Sequence, residues 1–257
     1  MIRLILCGAA GRMGREIITA AEPMRDLQII CGIEESQHPT VGKEICGITI
    51  GSDLESALAE ADCVIDFTNH EAAFDHLKTM VRHPIPIVIG TTGFTRIELA
   101  EIKYQADKIP IFLSPNMSRG MNNLYRLVRD TVRLLPGFEI EIVETHHRGK
   151  KDAPSGTAKE LVRIIKEIRP EMKVIFGREG MIGERPADVL CVNSVRGGDV
   201  CGEHRVLFFG DGEFLELRHY ATSRQCLAQG TLAAVRFMIG KPAGLYGMND
   251  LMNLDKE

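Results

Sequence analysis

Short apolar runs alternate with amphipathic stretches along the first half of the chain. The runs are four to seven residues long and rich in Ile and Val, which is typical of strands buried on both faces. They lie at residues 2–7, 27–33, 63–67, 85–89 and 109–113. Apolar residues at helical spacing occupy residues 12–21, 53–61, 70–81 and 95–106. This alternation predicts a parallel sheet with right-handed helical crossovers.

The pattern changes from about residue 117. Helical spacing over residues 124–135 predicts a long helix that ends at Pro136 and Gly137. Strand candidates follow at residues 138–146, 189–195, 206–209 and 214–221. The last two flank a hairpin turn. A final helix is predicted at residues 226–239. No long polar linker borders this section. We therefore expect an inserted domain with a mixed antiparallel sheet, after which the last helix returns to the first domain.

Composition and charge narrow the function classes. The 257 residues are 44% hydrophobic and carry a formal charge of −4 without a basic stripe, which argues against a nucleic-acid partner. The seven cysteines are scattered and form no CxxC pair, so we expect no disulfide framework and no metal site. No apolar run has the length of a signal or membrane segment. We expect a cytoplasmic protein that acts on small molecules and has no membrane partner.

A glycine-rich turn follows the first predicted strand. Gly8, Gly11 and Gly14 have GxxGxxG spacing, which lets backbone amides approach a pyrophosphate at a helix N-terminus. Glu34 lies 20 residues beyond Gly14, at the end of the second strand, where a carboxylate can bind the adenosine ribose. The next residue, Glu35, would repel a 2′-phosphate, so NADH is favoured over NADPH. A tight turn without a ligand and a solvated strand end are the structural alternatives.

Polar turns also follow the later strands of this sheet. Residues 66–69, 90–93 and 114–117 all lie at the carboxyl edge, where open α/β sheets bind ligands. The last two turns are suited to the nicotinamide half of a dinucleotide. Each alone is equally consistent with ordinary turn chemistry.

Side chains that can bind anions or transfer protons are most concentrated at residues 144–158. Ser155 is placed to cap a helix, and the amides and hydroxyls of Ser155, Gly156 and Thr157 form an anion site suited to a carboxylate. His146 and His147 would point to opposite faces of an extended strand, so one can bind while the other transfers a proton. A nucleophilic serine is disfavoured because no GxSxG elbow occurs. The plain alternative is a charged loop that leads into a capped helix.

Six motifs resemble one enzyme family. They are GAAGRMG at 8–14, DFT at 66–68, GTTGF at 90–94, SPNMS at 114–118, ETHHRGKKDAPSGTA at 144–158 and GDVCGEH at 198–204. The chain resembles the 4-hydroxy-tetrahydrodipicolinate reductases of the diaminopimelate route to lysine. The resemblance implies an α/β fold: an N-terminal Rossmann-type parallel sheet with an inserted α+β substrate and oligomerisation domain. It assigns residues 1–117 and 225–257 to dinucleotide binding and residues 118–224 to substrate binding and assembly of a homotetramer.

The resemblance also implies roles for individual residues. It suggests that His146 and Lys150 transfer protons. Residues that would bind the dicarboxylate substrate are His147, Ser155, Gly156 and Thr157. Residues that would bind NADH, or NADPH as the less favoured cofactor, are Gly8, Ala9, Ala10, Gly11, Arg12, Met13, Glu34, Gly90, Thr91, Thr92, Ser114, Pro115, Asn116 and Met117. Arg224 resembles a position near the domain hinge. Closure of the domains would then bring the cofactor against the substrate.

Two other functions are compatible with parts of the sequence. Another dehydrogenase of small amino or keto acids would explain the glycine-rich turn, but not the string at residues 144–158. A dinucleotide sensor without catalytic activity would also use the first domain. Oxidation of NADH in the presence of the substrate distinguishes the reductase from the sensor.

Overall fold

The computed structural model describes residues 1–253, which form two compact units. Unit 1 combines Met1–Arg119 with the chain from Arg224 onward, and unit 2 is the inserted segment Gly120–Ser223. No helix within residues 1–253 is both long and apolar enough to cross a membrane.

The elements are numbered in chain order. The strands are β1 (Ile2–Cys7), β2 (Leu27–Ile33), β3 (Glu44–Ile45), β4 (Ile48–Gly51), β5 (Cys63–Asp66), β6 (Ile87–Ile89), β7 (Pro110–Leu113), β8 (Glu139–His146), β9 (Lys173–Phe176), β10 (Val189–Arg196), β11 (Gly202–Gly210), β12 (Glu213–Ala221) and β13 (Gly244–Tyr246). The helices are α1 (Arg12–Ala21), α2 (Leu54–Ala57), α3 (His70–Met80), α4 (Arg96–Gln105), α5 (Arg119–Leu134), α6 (Gly156–Ile168), α7 (Gln225–Met238) and α8 (Met248–Met252).

Unit 1 is a doubly wound α/β layer structure. In the described part of the chain its sheet has the order β13-β7-β6-β5-β1-β2-β4-β3, with parallel pairing except between β3 and β4. One apolar cluster packs α1 and α7 on one face, and a second packs α3 and α4 on the other. Burial on both faces explains why the predicted strands are nearly continuous apolar runs. The Rossmann-type parallel sheet is confirmed. The last long helix, α7, belongs to the same unit.

Unit 2 contains a mixed sheet of order β12-β11-β8-β10-β9 within the described residues. The central strand β8 is parallel to β10 and antiparallel to β11. Its core lies on the sheet face that α5 and α6 cover, with Ile140 and Ile142 of β8 fully buried there. The predicted mixed sheet is therefore present. Because side chains alternate along a strand, every second residue of β8 after Ile142 lies on this same face, toward the carboxyl end of the strand.

Three elements differ from the sequence predictions by four residues or more at one end. The helix predicted at residues 53–61 is only α2, capped by Asp53, followed by a 3-10 turn at Leu58–Glu60. The long helix begins at Arg119 instead of residue 124, and β11 begins at Gly202 instead of residue 206. In the last two cases polar residues precede the apolar run, so the hydrophobic pattern alone starts each element late.

Candidate active site

The glycine-rich turn of unit 1 has two different kinds of glycine. Gly8 has φ +82°, and a Cβ there would lie 2.4 Å from the carbonyl oxygen of Phe67. A Cβ at Gly14 would lie 2.3 Å from the carbonyl oxygen of Gly8. These two glycines are thus required by the packing of the chain on itself. Gly11 instead is the N-cap residue of α1 and has no side chain to cap the helix, so N–H groups of the first turn are available to an anion.

A cavity of about 740 Å³ opens beside this turn. Ala10 N donates to Glu34 Oε1 over 2.6 Å, which holds the carboxylate against the turn. Glu35 and His38 line the same cavity. Its volume is in the range of small-molecule sites, roughly 300–1,000 Å³. The open helix N-terminus and the Glu34 acceptor fit the phosphate and ribose of a dinucleotide.

A buried carboxylate connects two of the strand-end turns in unit 1. Asp66 ends β5, and its Oδ1 accepts from Thr68 N at 3.1 Å, Thr68 Oγ1 at 2.7 Å and Thr91 Oγ1 at 2.8 Å. Its Oδ2 is 2.7 Å from His76 Nδ1. The turns at residues 66–69 and 90–93 are thus tied together at the carboxyl edge of the sheet. Phe67 lies over Gly90, where a Cβ would be 2.1 Å from the ring.

The other predicted cofactor residues differ in exposure. Arg12 and Thr92 are exposed and Met13 is half-buried, whereas Ala9 and Met117 are buried in the core. In the last predicted turn, Ser114 Oγ donates to Asn116 O over 2.9 Å, and the intervening Pro115 is exposed. Ala9 and Met117 therefore present almost no surface to a ligand in this structure.

Cys7, Asp66 and His76 place possible ligand atoms within 4.8 Å of one another. However, both Asp66 oxygens already accept hydrogen bonds. Burial raises the pKa of the Cys7 thiol well above its usual value, which opposes formation of a thiolate ligand. This donor set is explained by hydrogen bonding without a metal ion.

The candidate site of unit 2 is built at the carboxyl end of β8. Glu144 and His146 are two residues apart on the core-facing side, and the Glu144 carboxylate lies 2.5 Å from His146 Nδ1. The neighbouring strands complete the cluster. In the parallel pair Arg196 of β10 is opposite His146, and in the antiparallel pair His204 of β11 is opposite Glu144. Strand register therefore brings together residues from three distant parts of the sequence.

Glu144 is fully buried and accepts from several donors. Arg196 donates from both terminal nitrogens, at 2.9 and 2.7 Å. Burial raises the pKa of Glu144, but hydrogen bonds from His146, Arg196 and Ser194 outweigh that effect and hold the net pKa well below its ordinary value. The carboxylate thus stays ionised beside the imidazole.

The N-terminus of α6 is joined to this cluster. Ser155 is the N-cap: its Oγ accepts from Ala158 N at 3.1 Å and lies 3.1 Å from His204 Nε2. Ser155 N donates to Glu144 Oε1 over 3.2 Å. Gly156 is exposed and Thr157 half-buried, so the first turn of α6 presents N–H groups that can bind a carboxylate.

The loop between β8 and α6 supplies the cationic groups. Lys150 Nζ is 2.8 Å from Asp152 Oδ1, and this contact lowers the pKa of Asp152. Lys150 N donates to His147 O over 3.1 Å, which closes a turn just beyond β8. His147 is half-buried, and its ring lies beside Gly149. His146, Lys150, His147 and the α6 N-terminus are therefore all parts of unit 2.

Sequence reasoning did not assign roles to Glu144, Arg196, His204 or His76. Glu144 and His204 lie inside two of the motifs, and Arg196 lies two residues before the motif that contains His204. Their contacts depend on the register of β8 with β10 and β11, which no motif specifies. Arg224, predicted near the hinge, precedes α7 and begins the second segment of unit 1.

Two family models match the chain. The model described as dihydrodipicolinate reductase, N-terminus, matches residues 2–117, and that described as dihydrodipicolinate reductase, C-terminus, matches residues 120–252. A 4-hydroxy-tetrahydrodipicolinate reductase from Anaeromyxobacter dehalogenans is 41% identical over 99% of this chain and 98% of its own length. One from Syntrophotalea carbinolica is 40% identical over 99% of this chain and all of its own length.

Solved structures were also compared with the chain, and one of the similar structures is again a dihydrodipicolinate reductase. A dipicolinate-bound dihydrodipicolinate reductase from Paenisporosarcina sp. has a TM-score of 0.80 and 25% identity, and the match covers 97% of this chain and 99% of that one. An aspartate dehydrogenase from Thermotoga maritima is similar in fold alone, with a TM-score of 0.53 and 12% identity over 94% of this chain and 98% of that one. With both halves matched, the chain belongs to the dihydrodipicolinate reductase family.

Proposed function

We propose that this chain reduces 4-hydroxy-tetrahydrodipicolinate to tetrahydrodipicolinate, with loss of water, in the diaminopimelate route to lysine. One observation carries the proposal: the buried Glu144 accepts from both His146 Nδ1 and Ser155 N. A single carboxylate thus connects an imidazole that can transfer a proton to a helix N-terminus that can bind an anion. A substrate with ring carboxylates needs both functions.

Substrate binding is assigned to the residues around the start of α6. The Ser155 side chain caps the helix, so we expect its contribution to be the correct placement of the first turn. The exposed N–H groups near Gly156 and Thr157 would then bind one substrate carboxylate, and His147 would contribute a further polar contact. The dipole of the 13-residue α6 favours the negative charge.

Proton transfer is assigned to His146 or Lys150. His146 has Glu144 at one ring nitrogen, which leaves its other nitrogen for the reaction. Lys150 is only half-buried and is paired with Asp152, so its ammonium group would leave that partner before donating. Both residues are retained as candidates.

The cofactor is assigned to unit 1. The family's N-terminal domain indicates a nicotinamide dinucleotide, which supplies a hydride when bound. Within this chain, Gly11 and the first turn of α1 would hold the pyrophosphate, and Glu34 the adenosine ribose. We propose that NADH is preferred, because Glu34 and Glu35 both line the cavity and would repel a 2′-phosphate.

The activity is tested with freshly condensed pyruvate and aspartate semialdehyde. We expect NADH to be consumed, as measured at the nicotinamide absorbance band, and more slowly consumed when NADPH replaces it. We expect Lys150→Ala to retain NADH binding and lose turnover. NADH binding without consumption by the wild-type protein would instead indicate a dinucleotide sensor. Equal initial rates with the two cofactors would contradict the NADH preference alone.

We also propose a homotetramer assembled through the unit 2 sheet, in the cytoplasm. Support for assembly comes from apolar side chains on the sheet face opposite α5 and α6, including Val195, Phe209, Phe214 and Tyr220. Phe209 and Phe214 stack with ring centroids 5.7 Å apart. Sedimentation analysis measures the assembly, and a monomeric mass at micromolar concentration would contradict it.

A further inference from the structure

We propose that Glu144 is a positioning residue that keeps a proton on Nδ1 of His146, so that Nε2 is the atom that exchanges a proton with the substrate. The part of this statement that concerns the reaction rests on the proposed function. The tautomer itself is a property of the protein without substrate.

Glu144 and His146 lie on the same side of β8, and a carboxylate oxygen of Glu144 is within hydrogen-bond distance of His146 Nδ1. The Glu144 side chain is 0% exposed and that of His146 only 12% exposed. Because the two residues are neighbours on one face of a single strand, the backbone of β8 holds both side chains in place without a flexible loop.

The charge on Glu144 is compensated by Arg196, which binds it through both terminal nitrogens. Arg196 also donates to Asp152 O and Val195 O, each at 2.7 Å, so the guanidinium is fixed on four acceptor atoms. Together these contacts keep Glu144 ionised, consistent with its lowered pKa. An ionised carboxylate only accepts hydrogen bonds, and therefore the imidazole must donate from Nδ1.

The other ring nitrogen of His146, Nε2, lies beside Gly202. A Cβ at Gly202 would lie 3.2 Å from His146 Nε2, so the absence of a side chain there leaves space beside this atom. His204 packs edge-to-face on His146 with ring centroids 5.1 Å apart. Burial lowers the pKa of His204 to about 3, so this ring stays neutral and adds no positive charge beside His146. Other ionisable groups near this pair include Glu144, Arg196, Lys150 and His219.

The tautomer is read by ¹H–¹⁵N NMR of histidine-labelled full-length protein at a pH where His146 is neutral. We expect the Nδ1–H pattern for His146 in the wild type and a shift toward the Nε2–H tautomer in Glu144→Gln, since the amide can donate to Nδ1. The matched control is Glu141→Gln. Glu141 is also on β8, and it pairs with Arg178 and Arg185, but its side chain lies on the opposite face.

Kinetics give the second measurement. General acid–base catalysis supplies about 10²- to 10⁴-fold in rate, and Glu144→Gln impairs it without removing His146, so we expect kcat to fall about 10- to 100-fold. KM and NADH affinity should change less than kcat. The alkaline limb of the kcat–pH profile should move to lower pH, because the protonated imidazole loses its counter-charge. Glu144→Asp should recover part of the rate.

A second variant separates positioning from folding. Glu144→Gln combined with Arg196→Gln removes the buried negative charge together with the half-buried positive charge that compensates it. The double variant should keep the His146 and kinetic effects while recovering stability lost by the single change. The inference is overturned if Glu144→Gln leaves the His146 tautomer and kcat equal to those of Glu141→Gln. A wild-type protein that shows the Nδ1–H tautomer but reduces no substrate would overturn the proposed function instead.

Discussion

Each unit holds a fully buried carboxylate near the carboxyl end of a strand, and the two are stabilised differently. Asp66 in unit 1 accepts from hydroxyl and backbone donors of Thr68 and Thr91, with His76 on its second oxygen. Glu144 in unit 2 accepts from the guanidinium of Arg196 as well as from an imidazole and a backbone amide.

The difference separates two uses of a buried acid. Around Asp66, mostly neutral donors belong to two turns of the chain, so the carboxylate mainly fixes backbone geometry beside the cavity proposed for the nucleotide. Around Glu144, a permanent positive charge compensates the burial of the negative one. We therefore expect the Asp66 carboxylate to shape the surface of the proposed binding cavity in unit 1. In unit 2 the Glu144 carboxylate is itself the ionised group that lies next to His146.

The largest effect is expected when Glu144 loses its permanent counter-charge. Arg196→Leu leaves a carboxylate in a fully buried position, which should lower the free energy of unfolding by about 3–5 kcal/mol. Urea denaturation at neutral pH measures this change. The matched control is Arg163→Leu on α6, whose ion pairs with Glu160 and Glu167 lie at the surface and should each contribute only about 0–1 kcal/mol. Equal losses in the two variants would show that Glu144 is well solvated.

The pH dependence of the free energy of unfolding tests whether His204 is buried and neutral in unit 2. Burial lowers the pKa of His204 from 6.5 to about 3, so the unfolded chain binds the extra proton and stability is lost as pH falls through this window. Glu144 has a lowered pKa, so its contribution is present above pH 4.5 and is lost only below that value. Between pH 6.5 and 4.5, wild-type protein should therefore lose about 2 kcal/mol more than His204→Gln.

Denaturation curves at several pH values within this window test that prediction. The informative quantity is the slope with pH, since His204→Gln also removes packing against His146 and shifts the absolute stability. Parallel slopes for the two proteins would mean that His204 is accessible to protons in the folded state.

The fold was predictable where the chain uses long, regular patterns. The apolar runs of β1 and β5 and the helical spacing of α7 all predict the observed elements. The hairpin of β3 and β4 was missed because its two-residue turn places Cys46 at φ +49° before Gly47, where Asn or Asp is the usual signal. The edge strand β13 has only three residues, too few to show a period.

The site was predictable only where its residues are close together in sequence. Residues 144–158 contain a strand end, a loop and a helix start, and turn and capping chemistry identify Ser155 correctly as an N-cap. Arg196 and His204 reach Glu144 only through strand pairing. Register is set by the packing of a whole sheet face, so a local motif contains no information about it.

The Asp66 network of unit 1 is tested by nucleotide affinity. Asp66→Asn replaces an acceptor-only group by one that also donates, so Thr68, Thr91 and His76 can no longer all be satisfied. We expect NADH affinity to fall about tenfold, or about 1.4 kcal/mol, in a fluorescence titration. Asp75→Asn is the control: it removes the same charge from an exposed side chain of the same cavity. Similar losses in both variants would indicate an electrostatic effect instead of positioning.

The smallest effect is expected at the ion pair between Lys150 and Asp152, which lies beside the Glu144 cluster but has one partner 53% exposed. Asp152→Asn should lower the free energy of unfolding by about 0.2–1 kcal/mol, because water already screens the attraction. Denaturation at low salt and at high salt measures the difference from wild type. We expect that difference to disappear at high salt, while the loss in Arg196→Leu persists because a buried charge is screened little by ions. A loss in Asp152→Asn that persists at high salt would place this pair with the buried network of Glu144, and the proposed release of Lys150 for proton transfer would then require a larger rearrangement of the loop.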